Sequence, residues 1–260
     1  MYKFGICELG LVPVRSDPSD DAEMTTQLLF GDLFQVTHRF KNWVRIRQAF
    51  DNYEGWIDEK QYFPMNEKMY RTLVNLPTSV SLDFVNYVST SNHNFLIPVM
   101  IGSSFPGLFQ DTFYIGDTIY TFQGESLPPD TNPDRNRIIE NALVFRNAPY
   151  MWGGKSPFGI DCSGFTQIVY KTSGIQLLRD TSQQVTQGET VHLLSEAAPG
   201  DLAFFDNEEG KITHVGVLLS NDKIIHASGS VRIDSIDHQG IYNQERKSYS
   251  HKLRLIKTLF

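Results

Sequence analysis

The chain has 260 residues, enough for one large domain or two to three small ones, each with its own core. A formal net charge of -7 speaks against a nucleic-acid partner, whose phosphates call for clustered Lys and Arg. No stretch is apolar for long enough to span a bilayer, which argues against a membrane partner. The opening segment lacks the apolar run and cleavage site of a signal peptide, so a chain native from Met1 is expected in the cytoplasm.

Residues 1–63 read as short alternating strands with turn punctuation: Gly5-Ile6-Cys7, Leu11 to Val14, Thr26 to Asp32, Phe34 to Val36, Trp43 to Arg47 and Gly55 to Ile57. That texture predicts a small all-β barrel. Residues 64–127 repeat it more weakly, in Phe95 to Val99, Phe113 to Gly116 and Thr118 to Phe122, as a second β module. Residues 128–134 form the linker. There Asn132 is expected as N-cap and Pro133 as the first residue of a helix whose apolar face is Ile138, Ile139, Ala142, Leu143 and Phe145. A second helix is predicted over Cys162 to Thr172, with Gly174 past its end. After Gly200 come strands: Leu202 to Phe205, His214 to Leu219, Lys223 to Ala227, Val231 to Ile236 and Leu253 to Leu259. Helices first and antiparallel strands after make residues 135–260 an α+β catalytic domain.

The chemistry sits in Gly159-Ile160-Asp161-Cys162-Ser163-Gly164-Phe165, Thr213-His214-Val215-Gly216 and Ile224-Ile225-His226-Ala227. Asp161 can cap the helix that Cys162 opens, and a thiol at a helix N-terminus is favoured as thiolate. Taken alone, Cys162 also reads as a small buried hydrophobe. The histidines decide between the two readings. A three-residue loop, Ser220-Asn221-Asp222, pairs Gly216 with His226 and makes His214 its diagonal neighbour on the same face, whereas a two-residue loop puts the histidines on opposite faces. His214 is then the base and His226 its orienter. Activity through a thiolate and a protonated imidazole predicts a bell-shaped pH profile. No cofactor is expected. Cys7 and Cys162 lack the close-spaced partners of a zinc site and are expected to stay reduced.

These motifs, with Tyr150-Met151-Trp152-Gly153-Gly154 ahead of them, resemble the NlpC-type (p-sixty) cysteine peptidases, papain-like enzymes that cut bacterial cell-wall peptides. The resemblance covers residues 135–260. It implies Cys162 as nucleophile, His214 as base, His226 as third residue and Tyr150 as an oxyanion donor. The N-terminal half is similar to bacterial SH3-like domains, one or two barrels. Glu23-Met24-Thr25-Thr26-Gln27 and Tyr53-Glu54-Gly55-Trp56-Ile57 match those attached to γ-D-glutamyl-L-diamino acid peptidases of murein-peptide recycling. That subgroup implies that Glu23 and Tyr53 hold the substrate's free amine. It also implies that Asp161, Ser163, Asp180 and Thr181 hold its L-Ala and D-Glu parts, Thr181 standing where the subgroup can carry Ser. The expected substrate is a murein peptide, L-Ala-γ-D-Glu-diamino acid. A wall-anchored endopeptidase acting on intact stem peptides, and a binding module with a dead catalytic domain, are the competing readings. His38, His93, His192, His238 and His251 have no motif partner and read as surface or structural residues.

Overall fold

The computed structural model describes residues 2–90 and 95–260; His93 lies outside the described residues. They divide into two compact units, residues 1–131 and 132–260. No helix is long and apolar enough to cross a membrane among the described residues.

The first unit opens with seven strands: β1 (Phe4–Ile6), β2 (Leu11–Arg15), β3 (Met24–Leu29), β4 (Leu33–Phe40), β5 (Trp43–Gln48), β6 (Glu54–Asp58) and β7 (Phe63–Met65). They form one antiparallel sheet in the order β3-β2-β6-β5-β4-β1-β7. Period-two alternation turns Val12, Val14, Leu28, Phe34, Val44, Ile46 and Ile57 onto a common buried cluster with Cys7. Burial also pushes the Cys7 thiol well above its ordinary pKa.

A helix, α1 (Glu67–Val74), follows where the sequence reading had only β texture. Its signals are local: Asn66 Oδ1 accepts from the Met69 amide at 2.9 Å, and Tyr70 and Leu73 supply the buried stripe. Seven short strands complete the unit: β8 (Thr78–Ser81), β9 (Val85–Thr90), β10 (Leu96–Met100), β11 (Ser104–Pro106), β12 (Thr112–Ile115), β13 (Thr118–Thr121) and β14 (Ser126–Leu127). They make a four-stranded and a three-stranded sheet. Ile6, Phe30 and Met65 of the first module share one buried cluster with Tyr70, Val88, Val99, Phe105, Phe113 and Phe122. The two β modules are thus joined through a common core.

In the second unit, α2 (Arg135–Val144) starts two residues later than expected. Asp134 is its N-cap, its carboxylate accepting from the Asn136 amide at 3.0 Å, and Pro133 stands before the cap. Asp134 is extended and caps with its own carboxylate, which makes Arg135 the first helical residue. Only Ile138 and Ala142 of the helix are buried, while Leu143 is exposed. The short pair β15 (Lys155–Ser156) and β16 (Gly159–Ile160) leads into α3 (Cys162–Lys171), whose ten residues are all buried. After α4 (Thr181–Gln184) come β17 (Glu189–Val191), β18 (Leu202–Asp206), β19 (Ile212–Ser220), β20 (Lys223–Ser228), β21 (Ser230–Asp237), β22 (Gly240–Asn243) and β23 (Ser248–Thr258).

The sheet runs β17-β23-β18-β19-β20-β21-β22, and β23 pairs with β22 as well. Six strands therefore close into a ring around Ala203, Phe205, Leu218, Ile224, Ile236 and Ile241. By alternation, His214 and Gly216 share a face with Leu218, His226 with Ile224, and Asp234 with Ile236. The polar residues thus cap one end of an apolar core.

Candidate active site

The nucleophile candidate is placed by close backbone packing. Asp161 caps α3 by accepting from the Gly164 amide at 2.6 Å, and its other oxygen accepts from the Gly153 amide at 2.8 Å. A side chain at Gly164 would place its Cβ 2.2 Å from the Gly154 carbonyl oxygen. Gly154 can therefore lie directly on the helix N-terminus only because position 164 is bare. Arg179, 1 % exposed, clamps Asp161 with two hydrogen bonds of 3.0 and 2.7 Å and donates a third to Ser163 Oγ at 2.8 Å.

Cys162 is buried, with Val215 and Ser163 amides hydrogen-bonded to its sulfur. Burial pushes its pKa up to about 12, Asp161 adds to that, and the two amides and Arg179 offset only part. The acid at the cap thus opposes the helix dipole, and the resting thiol is neutral rather than the thiolate expected from the sequence.

The base side is a hydrogen-bonded chain. Gly216 pairs with His226, as the same-face geometry requires. The register is reached by a different route: Ser220 pairs with Lys223 across a two-residue turn, and a bulge at Leu219 absorbs the extra residue. A Cβ on Gly216 would sit 2.8 Å from the His226 Cβ, so glycine makes the room. His214 Nε2 lies 2.8 Å from His226 Nδ1, and His226 Nε2 lies 3.0 Å from Asp234 Oδ2. Arg232 grips the same carboxylate at 2.6 and 2.9 Å.

Burial works against the Asp234 charge, but the hydrogen bonds from His226 and Arg232 outweigh it and hold its pKa at about 2. A carboxylate accepts only, so His226 donates from Nε2 to Asp234, and a neutral His226 accepts at Nδ1 from His214 Nε2–H. The lone pair of His214 is then on Nδ1. Burial, then His226 and His251, hold the His214 pKa well below 6.5, so this imidazole is neutral too.

His251, set aside by the sequence reading, stacks on His214 with centroids 4.1 Å apart and 23° between planes. His214, His226 and His251 bring one ring nitrogen each within 4.8 Å of one another, which by count is a metal site. The stack argues otherwise: in-plane lone pairs of nearly parallel rings run side by side rather than converge. His214 Nε2 and His226 Nδ1 are also committed to each other. The hydrogen bonds instead run from His214 through His226 to Asp234.

Buried neutral histidines make stability depend on pH. The His251 pKa is lowered to about 4 by burial and by His226, and that of His214 is held well below 6.5. The unfolded chain takes up these protons near pH 6.5 and the folded one resists them. Their contribution is therefore complete above pH 6.5 and lost as pH falls toward 4. We expect the urea midpoint to drop over that window, and His251→Phe, which keeps the stack but cannot charge, to flatten the drop. A midpoint with the same slope in both proteins would refute this origin.

A model described as the NlpC/P60 family matches residues 147–249, and one described as the bacterial dipeptidyl-peptidase Sh3 domain matches residues 14–61. The gamma-D-glutamyl-L-lysine dipeptidyl-peptidase of Bacillus subtilis is 30 % identical over 220 residues, covering 80 % of this chain and 73 % of that protein. The chain belongs to the NlpC/P60 family. A protein of the same name from Bacillus cereus is 28 % identical over 239 residues, covering 81 % of this chain and 69 % of that one. The crystal structure of an NlpC/P60 family protein from Bacillus cereus covers 98 % of this chain and 99 % of its own. Its TM-score is 0.82 at 21 % identity, a likeness of fold.

Within this NlpC/P60 unit, Cys162, Tyr150, Asp161 and Ser163 form one cluster: charge on Cys162 and Asp161 acts on the Tyr150 hydroxyl, which burial first of all raises to about 12. The Asp161 carboxylate accepts from Gly153, Gly164, Ser163 and Arg179. Asp180 caps α4 in a reciprocal box with Gln183, and Thr181 is the first residue of that helix. In the first unit, Glu23 precedes β3 and is exposed, while Tyr53 precedes β6 and is half-buried. A Cβ on Gly55 would meet the Arg15 carbonyl and Thr25 Oγ1, so these two strand starts share one end of the sheet.

Sequence reasoning missed Asp234, Arg232, His251 and Arg179. A signal for the first two existed: with Gly229 as the turn, His226 pairs with Arg232 and Asp234 lies diagonal to it on the same face.

Proposed function

We propose that this chain is a cysteine peptidase that hydrolyses the γ-D-glutamyl to diamino-acid bond of murein peptides carrying a free N-terminal L-Ala. The observation that carries the chemistry is Cys162 at the head of a buried helix, hydrogen-bonded to the strand that bears the His214–His226–Asp234 chain. The substrate follows the names of the Bacillus relatives together with the matched Sh3 domain. A helix-borne thiol packed on a sheet-borne imidazole also supports the papain-like description of the fold.

His214 Nδ1 takes the thiol proton as sulfur attacks the γ-carbonyl carbon of D-Glu. Since both groups rest neutral, charge is created only when substrate displaces water, and His226 and Asp234 stabilise the imidazolium. Tyr150, protonated throughout the neutral range, donates to the oxyanion. Collapse passes the proton from His214 to the departing α-nitrogen and leaves a thioester on Cys162. Water, activated by His214, then adds to the thioester carbonyl, releases L-Ala-D-Glu with a free γ-carboxylate and restores the thiol. In this reading kcat/KM holds a broad plateau across neutral pH, in place of the narrow bell expected from a thiolate pair.

Glu23 and Tyr53 would hold the ammonium of L-Ala, with Ser163, Asp180 and Thr181 toward the D-Glu part. An ammonium pairing of this kind contributes about 1.5–3 kcal/mol. Glu23→Gln is therefore expected to lower kcat/KM for L-Ala-γ-D-Glu-L-Lys by about one to two orders of magnitude. Acetylating the amine should cost at least as much. Equal cleavage of acetylated and free peptide would give the site to an endopeptidase of intact wall peptides instead. The match of this unit at 42 % identity over 104 residues to the probable endopeptidase p60 of Listeria seeligeri keeps that outcome in view.

A further inference from the structure

Beyond His251 the second unit opens into a groove of about 930 Å³ between the β18–β19 turn and the start of β23. Two of its wall residues border the base: Thr213 is next to His214 in the chain, and His251 is stacked on the His214 ring. Glu208, His238, Gln239 and Lys252 line the remainder. None of the groups around Cys162 belongs to it.

Acyl transfer to a thiol sorts the substrate in space. The acyl half stays with sulfur, here among Tyr150, Ser163, Asp161 and Arg179. The leaving nitrogen must come within about 2.6–3.2 Å of the group that protonates it. The residue carrying that nitrogen therefore departs on the His214 side, where the groove begins.

The groove has the charges for such a residue. Glu208 and Lys252 offer opposite signs on opposite stretches of chain, and both are exposed. Asp206, half-buried in the lining itself, pairs across the strands with Lys252; its Oδ1 finds no hydrogen-bond partner among the described residues and its Oδ2 lies 3.7 Å from Arg254. Its carboxylate adds to the negative charge of Glu208, two residues along the same turn, which favours a cation on this wall of the groove. We propose that this groove is the leaving-group subsite. It takes a diamino acid by its second charged amine at the Glu208 end and by its carboxylate at Lys252. The proposal rests on the peptidase reading above.

The test compares L-Ala-γ-D-Glu-L-Lys with the same peptide ending in L-norleucine, which keeps the chain length and lacks the ammonium. The quantity read is the ratio of the two kcat/KM values. The full chain should prefer the lysine peptide, and Glu208→Gln should reduce the ratio by about fivefold, as for one exposed charge pair. Asp206→Asn, nearly isosteric, should reduce it in the same direction. Lys252→Gln should instead erase the preference for a free C-terminal carboxylate over its amide. A lysine-to-norleucine ratio near one in the unmutated chain, or one unmoved by Glu208→Gln, overturns the subsite while leaving the peptidase intact. If neither peptide is cut, the peptidase reading itself falls and this inference with it.

Discussion

Cys162→Ala and His214→Gln are each expected to lower turnover of L-Ala-γ-D-Glu-L-Lys by roughly 10⁴-fold or more. Neither change should unfold the protein. Cys162 loses one sulfur from a helix held at its head by Asp161 and Gly164, and glutamine at 214 can still donate to His226. His226→Ala should be about two orders of magnitude less damaging, because an orienter acts only through the base. Asp234→Asn should fall on the same side, since it removes the charge that fixes the tautomer of both rings. Steady-state rates beside thermal melts decide the matter. Near-wild-type hydrolysis by either of the first two variants would sink the assignment.

The second large effect is on stability. Arg179→Met is expected to destabilise the second unit by about 3–5 kcal/mol, because it strands the Asp161 carboxylate in a site with 9 % side-chain exposure. Asp161 would keep its amide donors from Gly153 and Gly164 but lose the guanidinium that balances its charge. Adding Asp161→Asn to Arg179→Met should recover part of the loss, since a neutral cap no longer needs that charge. Urea unfolding of the three proteins measures this. A loss below about 1 kcal/mol for Arg179→Met would mean that the carboxylate is solvated by another route.

What the sequence made legible was local. Asp161 before Cys162, and Gly216 two residues after His214, are signals carried by neighbours in the chain, and the structure places both as such signals require. Asp234 and Arg232 depended on the register across Gly229, which no composition shift announces. His251 comes from a strand 37 positions after His214, and only the ring closure of the sheet brings the two imidazoles together. Arg179 reads in sequence as a surface cation, because nothing local shows that its partner lies 18 residues upstream. The thiolate expectation failed for a related reason: it weighed the helix dipole without the dryness of the site. The late start of α2 shows the reverse, a local choice among Asn132, Pro133 and Asp134 that the Asp134 carboxylate resolves by taking the cap.

The ring of the second unit also orders the protein's birth. β23 pairs with β17, β18 and β22, so a segment made after all of them joins strands as far back as Glu189. Chains emerge from the ribosome at about 5–20 residues per second, and contacts between distant segments form last. Cys162, His214, His226 and Asp234 are all synthesised before β23, yet the wall that carries His251 does not exist until it arrives. A nascent chain paused before residue 248 would hold every member of the proton chain and still lack the closed, dry enclosure in which His214 stays neutral.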